Sequence, residues 1–245
     1  MKHFFTFFFA LLFVTTYSQN LQGSWLLVEK NGKPVTDREE VALFTDNYFA
    51  VSAKSTANNE FLYAYGGYTQ QNAEHTQLTY DFNTQIPETI NKSFTSYTRI
   101  SGDSLIWTRE NAQLVWRQIS NRQDELSGVW VFTGRERDGK LSTSTPGDRR
   151  TIKILTGGRF QWIAFNSATT EFSGTGGGFY HTQKPDYTEQ ITVFSRNKDR
   201  IGASLEFNYQ LKEGVWHHTG TSSGGDKIYE LWSPLHKAYS REKAQ

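Results

Sequence analysis

From Gly23 onward, apolar and polar residues alternate in short stretches, separated by small clusters of Gly, Asn, Asp and Ser. A period of two sends successive side chains to opposite faces, the mark of a half-buried strand. Read this way, the first half predicts strands over 23–29, 41–45, 48–54, 60–70, 75–83, 91–100, 104–109 and 112–119. The second half predicts them over 128–135, 150–156, 159–166, 171–181, 187–195, 202–211, 214–219 and 227–232. The turns between them read "DN", "GG", "SGD", "KEG" and "SSGGD", residues that tolerate tight reversal.

The two halves repeat one another. "LQGSW" at Leu21 returns as "LSGVW" at Leu126, so that Trp25 falls on Trp130 at an offset of 105. "GGYTQQNAEHTQLTYDF" aligns with "GGFYHTQKPDYTEQITVF" at 111, "GDSLIWTR" with "KEGVWHHT" at 109, and "LVWRQI" with "YELWSPL" at 116. The order is kept and the drift is small enough for loops to absorb. Repeat 1 spans 21–120 and repeat 2 spans 126–235, joined by the polar "SNRQDE". A charged tail, 236–245, is expected to be a loose or helical end. Seven or eight short strands per repeat suit a small closed antiparallel meander, because closure removes exposed sheet edges. A β-sandwich is the rival arrangement. The fold class expected is therefore all-β, with two tandem up-and-down barrels.

A Gly-x-Trp on the first strand followed by such a meander resembles the lipocalin and calycin group. Repeat 2 is similar, over about 75 residues, to a secreted lipocalin-like family of Gram-negative bacteria with no assigned activity. The segments that carry the likeness are "SGTGGG", "YTE", "FSR", "GASLEF", "WHH" and "YELW". The resemblance implies a barrel with an interior site and no known chemistry. Repeat 1 keeps only the skeleton of this pattern and reads as a degenerate barrel.

Strand alternation then selects inward residues. In repeat 2 it groups Trp162, Tyr187, Glu189, Tyr209, Trp216, His218, Glu230 and Trp232 in the interior, with Val193 beside Ile191 and with Phe194 and Phe165 turned outward. The repeat alignment puts Glu189 on Leu78, Glu230 on Leu114, His218 on Arg109, Trp216 on Trp107 and Trp232 on Trp116. Two acids become leucine while the aromatic frame stays. Repeat 1 is thus expected to be filled, and repeat 2 to hold a polar, aromatic-walled pocket. Glu189 and Glu230 are expected to meet within about 5–9 Å, the spacing of a sugar-cleaving pair. Their repulsion should raise at least one pKa. The competing reading is a structural core in which buried acids bond to neighbours.

Composition narrows the partners. Lys and Arg number 26 against 25 Asp and Glu, and one of the cations is Lys2 in the leader, so no basic face for nucleic acid is implied. Residues 1–18 follow the order of a signal peptide: Lys2, an apolar run from Phe4 to Val14, then small polar residues. The run is short for a membrane span of about 20 residues, so a periplasmic or secreted chain with no span after cleavage is expected. Without cysteine, no disulfide or Cys-linked lipid can form. No metal and no cofactor are expected: His217 and His218 face opposite ways on a strand, and "GTGGG" lacks the Lys-Ser/Thr of a nucleotide loop.

Function follows from the interior. The leading expectation is an exported protein that binds a small molecule or glycan in the second barrel, with aromatic walls for stacking and Glu189, Glu230 and His218 for directional bonds. The alternative is a glycan hydrolase or isomerase that uses those three groups as acid and base. A structural or interaction module is the third reading. Oligomeric state is not specified by the sequence.

Overall fold

The computed structural model describes residues 20–240 apart from 46, 73, 110 and 223. The leader predicted over 1–18 lies outside the described residues. The first sheet comprises β1 (Gly23–Lys30), β2 (Lys33–Pro34), β3 (Arg38–Phe44), β4 (Tyr48–Ser55), β5 (Phe61–Gln71), β6 (Thr76–Asn83), β7 (Ser93–Ser101), β8 (Ser104–Arg109) and β9 (Ala112–Ser120). The second comprises β10 (Gly128–Arg137), β11 (Lys140–Thr143), β12 (Arg149–Thr156), β13 (Arg159–Asn166), β14 (Glu171–Gln183), β15 (Asp186–Phe194), β16 (Ser204–Lys212), β17 (Val215–Thr221) and β18 (Lys227–Pro234). All pairings are antiparallel and follow chain order, except that β1 pairs with β3 past β2 and β10 with β12 past β11. β1 also pairs with β9, and β10 with β18, so each sheet closes. The result is two closed eight-stranded barrels in tandem, each with one extra strand, a lipocalin-like fold.

The extra strands, β2 and β11, were not among the predicted ones. Their signal is local. Asn31-Gly32 and Asp138-Gly139 both adopt positive φ, the conformation of the tightest hairpin turns. Each doubles the end of the first strand back on itself.

The repeat is exact where it matters for closure. Trp25 and Trp130 are both buried, and each indole N–H donates to the carbonyl four residues earlier, Leu21 at 2.9 Å and Leu126 at 2.8 Å. Both barrels also bulge at their glycine pairs, Gly66/Gly67 and Gly177/Gly178. A Cβ on Gly67 would lie 2.0 Å from the Thr79 carbonyl oxygen, and one on Gly178 would lie 1.8 Å from that of Gln190. The extra residue of a bulge flips the strand face beyond it. Phe194 therefore packs inside barrel 2 against Trp162, while Val193 faces the seam between the barrels, the reverse of the simple alternation.

The barrels share a core. Leu43, Tyr48, Ala50 and Phe82 of the first pack against Val131, Ile152, Ile154, Ile163 and Phe165 of the second. The strand β13 is thus apolar on both faces because both are covered. Within this seam Arg150 Nη2 lies 2.7 Å from Asp81 Oδ2, each side chain 1% exposed, and the Tyr48 hydroxyl donates to the same carboxylate oxygen. The tail begins as a short helix, α1 (Leu235–Ala238), and Leu235 and Tyr239 are buried in the shared cluster. Of the loose or helical end expected, the helical form is present at its start, and it is docked as far as the described residues reach. The polar linker is docked too: Arg122 donates to the Tyr180 carbonyl, and Glu125 accepts from Tyr209.

Candidate functional site

β15 carries Tyr187 and Glu189 into barrel 2, β17 carries Trp216 and His218, and β18 carries Glu230 and Trp232. Ladder pairing sets His218 opposite Glu230 and Trp216 opposite Trp232. Tyr187, Glu189, Tyr209, Trp216, His218 and Trp232 are buried, and Trp162 and Glu230 are half-buried. All eight predicted residues therefore lie on strands of barrel 2 with little solvent exposure.

A ninth residue, missed by the sequence reading, organises them. Lys153 on β12 pairs directly with Trp130 on one side and Trp162 on the other, so it shares their inward face. Its Nζ lies 2.8 Å from Glu189 Oε1, and the Tyr187 hydroxyl donates to the same oxygen at 2.8 Å. The rings of Phe160, Tyr187, Trp216 and Trp232 surround the ammonium at 5.2–5.7 Å. Charge pairing and ring quadrupoles thus stabilise a cation that burial alone would expel. The signal available was alternation: "RRTIKILT" puts Lys153 between Thr151 and Leu155 on the face opposite Ile152 and Ile154.

Glu230 has different partners. Its Oε2 accepts from the Trp232 indole N–H at 3.2 Å and lies 3.6 Å from His218 Nδ1, too long for a hydrogen bond. Its Oε1 lies 3.7 Å from Arg135 Nη2. Burial by itself would raise this carboxyl. The adjoining His218, the charge of Lys153 and the Trp232 N–H outweigh burial and hold it below its ordinary 4.5. The expected upward shift from acid crowding is thus reversed at Glu230. Burial, then the nearby Lys153 charge, lowers His218 below 6.5, and neither of its ring nitrogens makes a hydrogen bond with the described residues.

Glu230 also borders a recess of about 410 Å³ at the end of barrel 2 away from Trp130, with Arg135, Arg137, Tyr229 and Lys227 on its walls. Of the eight predicted residues it is the one on this wall. Tyr209 turns instead to the linker acid Glu125.

Register corrects part of the repeat alignment. Thr98 pairs with Trp107 as Tyr209 pairs with His218, and Trp107 pairs with Leu114 as His218 pairs with Glu230. His218 therefore corresponds to Trp107, Trp216 to Leu105, and Arg109 to Gly220. The tryptophan match at an offset of 109 misled because the β7–β8 and β16–β17 hairpins are both two-residue turns that keep the offset at 111. The pairs Glu189–Leu78, Glu230–Leu114 and Trp232–Trp116 stand in this register.

Barrel 1 is not simply filled. It buries Glu40, which is 3% exposed and absent from the predicted set. Glu40 accepts from Arg38 Nε at 2.9 Å and from the hydroxyls of Tyr63 at 2.6 Å and Tyr65 at 3.3 Å. A cavity of about 600 Å³ lies at the end away from Trp25. Inside the shared frame, Val51 and Tyr65 stand where barrel 2 has Trp162 and Gly176.

Among the described residues, no group of three or more His, Asp or Glu has a metal-binding arrangement, and no helix is long and apolar enough to cross a membrane. Comparison of the chain with protein-family models and with curated proteins finds no match.

Proposed function

We propose that this chain is an exported small-ligand-binding protein, akin to the secreted lipocalin-like proteins that its second half resembles, and that a polar or glycan-like ligand enters the open end of barrel 2. The observation that carries this reading is the position of Glu230. It is a carboxylate held ionised from inside by Trp232, His218 and Lys153, and it borders a recess large enough for a small molecule. Ionised carboxylates accept strong hydrogen bonds from ligand hydroxyl and ammonium groups.

Binding is favoured over catalysis by the state of Glu189. A glycosidase needs two carboxyl groups flanking one bond. Glu189 is closed off by Lys153 and Tyr187, both buried, which leaves Glu230 without a working partner. The structural reading applies to Glu189 and the binding reading to Glu230.

The Trp232 indole touches Glu230 and reports occupancy directly. Titration of the full chain with a panel of mono- and disaccharides should give a saturable change in tryptophan fluorescence, weakened about tenfold in Glu230→Gln. No saturable response across the panel would overturn the glycan assignment, and release of cleaved or isomerised sugar would replace binding by catalysis. Export is tested by sequencing the N-terminus of the protein recovered outside the cytoplasm, which should begin near Gln19.

A further inference from the structure

The cavity of barrel 1 is built around a cation. Arg109 ends β8 and reaches its wall, where Nη1 donates to the Tyr80 hydroxyl at 3.1 Å and Nη2 donates to the Tyr65 hydroxyl at 3.1 Å. The guanidinium also lies over the Tyr65 and Trp107 rings, at 4.9 and 5.1 Å from their centroids. These partners are neutral. Among the described residues no carboxylate comes within 4.0 Å of Arg109, although an arginine is charged at any ordinary pH. The nearby interior acid, Glu40, is taken by Arg38 and by two tyrosine hydroxyls.

The hydroxyl protons differ in a telling way. Tyr65 accepts from Arg109 and donates its own hydroxyl hydrogen bond to Glu40. Tyr80 accepts from Arg109, and its own proton has no acceptor among the described residues. Arg109 and Tyr80 therefore bring a cation and a phenol proton to one wall of an open cavity on which no described residue is a carboxylate. Lys30 adds a second cation at the rim, and no described wall residue is acidic. Leu78 and Phe94, with Ile86 at the lip and 48% exposed, form an apolar strip of the wall, beside the uncharged polar residues Asn83, Gln85, Thr95 and Asn111.

We infer that barrel 1 is a second ligand site, for an organic anion with an apolar body, whose carboxylate is received by Arg109 and Tyr80 while its hydrocarbon lies against Leu78, Phe94 and Ile86. A carboxylate matches the guanidinium fork and accepts the free phenol proton. The cavity volume falls in the range of small-molecule sites. This site is separate from the recess at Glu230, whose counterpart of Arg109 is Gly220, so the two barrels would take ligands of different chemistry.

The test uses the full chain with three probes: decanoate, decanol of the same chain length, and inorganic phosphate. Calorimetry should show decanoate binding in a one-to-one ratio, with decanol and phosphate each about tenfold weaker or more. Tyr80→Phe removes one donor without altering the wall and should weaken decanoate several-fold. Arg109→Met should abolish the preference for decanoate over decanol, with circular dichroism verifying that the barrel is intact. Equal affinity for decanol would remove the anion from the assignment, and equal affinity for phosphate would remove the apolar body. Absence of decanoate binding, or unchanged binding in Tyr80→Phe and Arg109→Met together, would overturn the site.

Discussion

The Lys153 ammonium sits 2.8 Å from the Glu189 carboxylate inside barrel 2, with each side chain 5% exposed. The same two places in barrel 1 hold Ala42, paired with Trp25 as Lys153 is with Trp130, and Leu78. At these two places one barrel thus holds an ion pair and the other hydrocarbon. Removing one member of such a pair strands a buried charge, which costs about 3–5 kcal/mol, whereas replacing both with apolar residues is often close to neutral. Lys153→Met alone should lower stability by about that amount, and Lys153→Met with Glu189→Leu should recover most of it. Urea denaturation measures both. A single variant as stable as the wild type would show that the pair is not structural.

Acid should weaken the fold through His218. Burial and Lys153 hold its folded pKa below 6.5, so the unfolded chain takes up a proton that the folded chain refuses. Stability from this group is complete above about pH 6.5 and falls as pH drops below it. Glu230, lowered from 4.5, adds a second loss at more acid pH, as its carboxylate is protonated. In His218→Phe the loss between about pH 7 and 5 should shrink. An unchanged pH dependence of the urea midpoint in that variant would assign the loss to other groups.

Trp130 closes the base of its barrel and bonds Leu126 through its indole N–H. Trp130→Ala should cost about 3–5 kcal/mol. Trp130→Phe keeps most of the ring and should cost less, in part the lost hydrogen bond at about 1 kcal/mol. Equal losses for the two variants would mean that the hydrogen bond dominates over packing.

Residues 122–245 expressed alone should form β-structure, since the ladder of barrel 2 closes on itself. That fragment bares Val131, Ile152, Ile154, Ile163 and Phe165, and it leaves Arg150 without Asp81. It should therefore self-associate in sedimentation and unfold at lower urea than the full chain. In the full chain, Asp81→Asn should cost about 3–5 kcal/mol. A monomeric fragment as stable as the full chain would mean that the seam adds nothing.

Alternation and turn residues by themselves determined the repeat and the strands other than β2 and β11, because both act within a few residues along the chain. They also placed Glu189 and Glu230 correctly over Leu78 and Leu114, since the offset is constant along each strand. Local alternation failed at Val193 and Phe194, where a glycine bulge reverses the faces, and hairpin length decided that His218 stands over Trp107 and not over Arg109. The rest belongs to tertiary structure. Lys153 and Glu189 are 36 residues apart and Arg109 and Tyr65 are 44 apart, and closure of the two sheets is what brings them together. A lysine among apolar neighbours looks like any solvated lysine until a barrel surrounds it. Whether a buried charge is neutralised, as at Glu189, or left facing a cavity, as at Arg109, depends on which side chains the other strands deliver to the same interior.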